Sequence, residues 1–120
     1  MIELQPLIEL ALDHWRLERS LAGASGNELA AARHASRRIG DFLKRFELEA
    51  RSLEGMNSDG GLAARVLDVV DDPALPEGKA VVDETLSPLV LWRGKVVRQA
   101  EVATRRGIGK ASASNERGQR

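Results

Sequence analysis

His14 and His34 are the only histidines in the chain, and neither stands in a spacing expected to hold a metal ion. Cysteine is absent, and His34 has Ala30 and Arg38 one helical turn away on either side. Both histidines read as packing or surface residues. Asp71-Asp72 and Asp83-Glu84 are adjacent acid pairs, but a general acid/base dyad would need burial and a third group. Before Pro73, Asp71-Asp72 reads as turn chemistry, because Asp hydrogen-bonds its own following backbone. Arg105-Arg106-Gly107-Ile108-Gly109-Lys110 ends in the Gly-Lys of a phosphate loop, yet Ala111 replaces the Ser or Thr that must follow. No helical pattern comes next to aim a positive N-terminus at a phosphate. These residues predict no catalysis, no metal and no cofactor. Two cations remain: Lys95 and Arg98, beside the tight reversal Arg93-Gly94-Lys95. They are either solvated side chains or the basic tip of a hairpin that docks on an acidic surface.

The elements that would position such a tip follow from periodicity. Residues 3–22 carry Leu4, Leu7 or Ile8, Ala11, Trp15 and Ala22 at spacings of three and four, which predicts an amphipathic helix. Pro6 falls in its first turn, where a missing N–H costs nothing. Gly23-Ala24-Ser25-Gly26 ends it, and Asn27 is the expected cap of a second helix running to about Phe46. Ser36, Ile39, Leu43 and Phe46 share one face of that helix. Gly40 costs it about 1 kcal/mol relative to Ala, so packing must compensate. The short link predicts an antiparallel helical hairpin. Leu10, Leu12, Leu17 and Leu21 widen the apolar surface beyond what one hairpin covers. A four-helix bundle in a homodimer would bury it, with Leu4, Leu7, Ile8, Ala11, Trp15, Ile39 and Leu43 at the interface.

From Phe46 the period changes to two. Strands are expected near residues 63–70, 79–86, 89–92 and 95–104, broken by Asp71-Asp72-Pro73, Pro76-Glu77-Gly78 and Arg93-Gly94. The predicted class is α+β: a helical dimerisation hairpin over residues 1–50, then a small, mostly antiparallel β-domain over 51–106. Residues 107–120 lack periodicity and read as a disordered basic tail.

Composition sets limits on partners. Net charge is zero, but residues 1–90 hold 10 Lys+Arg against 16 Asp+Glu, whereas 91–120 hold 8 against 2. The basic end could meet an acidic protein face or nucleic acid, although it lacks interleaved aromatics for base stacking. No apolar run approaches the roughly 18 residues that span a bilayer, and no signal-peptide pattern is visible. A cytoplasmic protein is expected, with no membrane partner and no small-molecule substrate.

The stretch from Val69 to Thr104 resembles the β-domain of the GrpE family, the nucleotide exchange factors of DnaK-type chaperones. The matching residues are the turn from Pro76 to Gly78, the strand from Val81 to Leu86, and Gly94-Lys95-Val96-Val97-Arg98-Gln99-Ala100-Glu101-Val102. Upstream, Leu4 to Asp13 is similar to the start of the family's bundle helix. Lys44-Arg45-Phe46-Glu47-Leu48-Glu49 is similar to its helix-to-sheet junction. Nothing ahead of Leu4 corresponds to the family's long N-terminal stalk. The resemblance implies a homodimer that binds the nucleotide-binding domain of a DnaK-type chaperone and promotes ADP release. It places partner contacts at Lys95, Arg98, Leu86 and Thr104. The alternative is a dimeric adaptor that keeps the fold without exchange activity.

Overall fold

The computed structural model describes residues 3–24, 26 and 29–109. In chain order the elements are α1 (Leu4–Ala22), α2 (Ala30–Arg45), β1 (Leu48–Arg51), β2 (Ala64–Asp72), β3 (Ala80–Ser87), β4 (Leu89–Trp92), β5 (Lys95–Arg98) and β6 (Ala100–Gly107). The class is α+β: two N-terminal helices packed as a hairpin, then two small sheets of mostly antiparallel strands. Contacts divide the chain into two compact units, the first holding residues up to Arg51 together with Val90–Arg98. The second holds Ser52–Leu89 and the chain from Gln99 onward.

In the first unit, α1 and α2 pack on a three-stranded sheet of order β1-β4-β5. Leu7, Ile8, Ala11 and Leu12 of α1 meet Leu43, Leu48 and Val90 in one buried cluster. The apolar stripe of α1 is therefore covered by the chain's own later strands. Arg33 ties the interhelical turn, donating to the carbonyls of Ala24 (2.8 Å) and Gly26 (3.1 Å). Asn27, the expected cap of the second helix, lies outside the described residues.

Gly40 explains itself across the helix pair. A Cβ there would sit 3.2 Å from His14 Cε1, so glycine admits the imidazole against α2. His14 Nε2 then donates to the Ser36 carbonyl at 2.7 Å. Because Leu7 and Ile8 are only 7% and 5% exposed within the unit, Asp at either position buries an unpaired charge worth about 3–5 kcal/mol of destabilisation. Circular dichroism of Ile8→Asp should show lost helicity even at dilutions where any dimer has dissociated. Full helicity would place Ile8 outside the core.

The second unit is a three-stranded sheet of order β2-β6-β3, with β6 parallel to β2 and antiparallel to β3. Leu53, Val82, Thr85, Pro88, Ala100 and Val102 form its interior. Thr85 is tolerated there because its Oγ1 accepts the Leu53 N–H at 2.8 Å, while its own N–H donates to Glu54 at 2.7 Å. The strand expected over 95–104 is instead two, parted at Gln99 and assigned to different sheets. The ordered chain also runs past Gly107. Gly107 donates to Lys79 O (2.7 Å) and Gly109 to Leu75 O (3.1 Å), so the tail expected from residue 107 begins no earlier than 110. Residues 110–120 lie outside the described residues.

Candidate functional site

The β4–β5 hairpin turns through Arg93 and Gly94, with Trp92 paired to Lys95. Both central residues have positive φ (53° and 80°), which a two-residue turn needs to match strand twist. Glycine adopts this freely, whereas arginine is held there by its neighbours. The Arg93 N–H donates to Glu47 O at 3.0 Å, and Arg93 Nε lies 2.9 Å from Glu47 Oε2. The guanidinium also stacks 4.6 Å over the Trp92 ring. Trp92 Nε1 in turn donates to Phe46 O at 3.1 Å, satisfying a carbonyl at the end of α2. The hairpin tip is thus fastened to the helix terminus at three points.

On this braced hairpin Lys95 and Arg98 are exposed, and among the described residues their side chains have no hydrogen bond or ion pair. The helix beneath it adds charge. Arg37, Arg38, Lys44 and Arg45 are exposed on α2, whose one acid is Asp41. A groove of about 610 Å³ joins the two elements, lined by Trp15, Leu43 and Leu48 with Lys44, Glu47 and Arg93 at its polar edge. The basic face of α2 was hidden in the sequence by the acidic balance of residues 1–90. Summing charge by helix rather than over residues 1–90 together would have exposed it.

Leu86 and Thr104 fall in the second unit, apart from Lys95 and Arg98. Leu86 is 41% exposed, at an irregularity in the pairing of β3 with β6. Thr104 is 3% exposed and paired between Val69 and Val82 at the centre of its sheet, so its side chain is not displayed. Of the seven residues expected at a dimer interface, Leu7, Ile8, Ala11, Trp15 and Leu43 are buried within the first unit, and Leu4 and Ile39 half-buried. The large apolar residue that α1 leaves exposed is Leu17, at 37%; Leu21, one turn on, is half-buried, and Leu10 is half-buried against the core cluster.

His14 Nδ1 lies 3.8 Å from Glu18, a neighbour that helical spacing alone could have flagged. No group of three or more potential ligands gathers among the described residues, and no described helix is long and apolar enough to cross a membrane. No protein-family model matches the chain, and no curated protein matches it.

Proposed function

We propose that this protein is a GrpE-like nucleotide exchange factor: a cytoplasmic co-chaperone, with no catalytic residue of its own, acting on a DnaK-type chaperone. The observation that carries the reading is the β4–β5 hairpin, a braced basic turn whose Lys95 and Arg98 side chains are exposed with no ion pair among the described residues. The order of a helical hairpin followed by β-strands supports the reading, although the stretch matched to one β-domain is divided here between two sheets. A braced element suits the task, because a contact that loses little freedom on docking keeps more of its interaction energy. By linkage, a protein that prefers the open nucleotide cleft weakens ADP binding by the factor its own affinity rises on opening. Stopped-flow release of labelled ADP from the cognate chaperone should accelerate severalfold at saturating protein. An unchanged rate removes the exchange reading.

The homodimer belongs to this proposal, supported now by a second stripe on α1, the exposed Leu17 with half-buried Leu21, rather than by the buried stripe. Four-helix pairing through that second stripe would leave the first unit's core intact. Burial of Thr104 favours one rival, a dimeric adaptor of the same fold. It predicts chaperone binding with no change in ADP release, so the same experiment separates the two.

A further inference from the structure

We propose that the open edge of β2 is a strand-addition site for an extended segment of a partner protein, one that sets a Lys or Arg opposite Asp68 between apolar residues. Among its described residues the second unit covers one edge of its sheet and leaves the other bare. Beyond β3, residues 55–58 close the edge: Gly55 donates to Val82 O, Val82 to Met56 O and Ser58 to Ala80 O, each at 2.9 Å. No described segment bonds to residues 65–71 on the far side of β2 from β6. An open strand offers a row of free N–H and C=O groups as a template for another chain.

Its side chains are unusual for a water-facing edge. Val66, Leu67, Val69 and Val70 are 42%, 49%, 46% and 53% exposed. The register puts Val66 and Val69 beside Val102 and Thr104, whereas Val70 lies beside Arg105 on the opposite face. Apolar surface is therefore presented on both faces of one strand. Leu67 falls at a break in the ladder with β6, which leaves it unpaired.

Charge selects the occupant. Arg65 pairs with Glu101 (3.5 Å), Asp71 with Arg106 (2.7 Å) and Asp72 with Arg105 (2.9 Å). Asp68, exposed at the middle of the strand, has no partner among the described residues. A second β2, aligned antiparallel so that Val66 meets Val70 and Leu67 meets Val69, would bring Asp68 against Asp68 of the second copy. Like charges directly opposite destabilise a strand pair, whereas an opposite charge stabilises it. Asp68 thus opposes self-pairing and favours a cation-centred strand, the repulsive and attractive halves of one specificity. This site is independent of the exchange reading.

Two soluble nonapeptides alternating Thr and Val, one with a central Lys and one with a central Glu, test it by amide NMR titration of the full chain. The Lys peptide should shift the amides of residues 65–71 and bind severalfold tighter than the Glu peptide. Asp68→Lys should reverse that preference, and Asp68→Asn should level it, which keeps the test decisive if the first variant is poorly folded. Equal affinity of the two peptides for the parent, or shifts confined to β5, would overturn the proposal. Concentration-dependent self-association that broadens only the β2 amides would overturn it in favour of a second copy.

Discussion

On the proposed exchange-factor reading, Lys95→Glu should weaken binding to a DnaK-type chaperone by well over tenfold while the melting curve hardly moves. Lys95 is exposed beside a turn and forms no ion pair among the described residues, so its reversal should change stability by less than about 0.5 kcal/mol. Truncating one member of a desolvated interfacial charge pair costs about 2–5 kcal/mol, roughly 30-fold to several thousand-fold in affinity. Reversal should cost at least as much. Arg98→Glu should act in the same direction from the same strand. Lys79→Glu is the control: an exposed cation of the other unit, whose reversal should leave affinity within about twofold of the parent. Calorimetric titration of the three variants gives the ranking. Parental binding by Lys95→Glu would move the docking surface away from the hairpin.

Gly107→Ala should be among the most damaging single-methyl changes in the chain. A Cβ there runs into the Pro76 carbonyl oxygen and comes within 2.8 Å of the Leu75 oxygen. Both obstacles are backbone, so no side chain can swing aside. The segment lapping β6 must lift, and with it the Gly107–Lys79 and Gly109–Leu75 bonds. Overpacking of this kind costs about 1–3 kcal/mol, or more where backbone must shift, and each kcal/mol lowers Tm by roughly 4–8 °C in a small domain. Hydrogen exchange should quicken at Gly107 and Gly109 before it does in α1. An unchanged melting curve would mean that the segment does not lie on β6.

Local patterns made the helices legible. Spacings of three and four marked α1 from Leu4 to Ala22, and Arg93-Gly94 marked the hairpin, because each depends on residues a few positions apart. Pairing over distance was not readable. The stripe of Leu7, Ile8 and Ala11 on α1 looked like a surface for a second copy, yet Leu48 and Val90 cover it from later in the chain. Sequence supplies the surplus but not what fills it. Gln99 carries no turn signal, so β5 and β6 read as one strand although they enter different sheets. The resemblance set Thr104 among the partner contacts, and only its neighbours on both sides show it to be interior. The fit of His14 against Gly40 needs two helices in register, which neither segment specifies alone.

The backbone crosses between the two units after Arg51, after Leu89 and after Arg98, so neither unit is a continuous stretch. During synthesis the helical pair is made before Val90 and Trp92 exist. At about 5–20 residues per second, the intervening stretch keeps Leu7, Ile8 and Leu12 uncovered for roughly two to eight seconds. The nascent chain is therefore vulnerable at its first helix, and a premature stop anywhere before the hairpin yields helices without a lid. Gene fragments ending near residue 51 would encode half a core, not a domain.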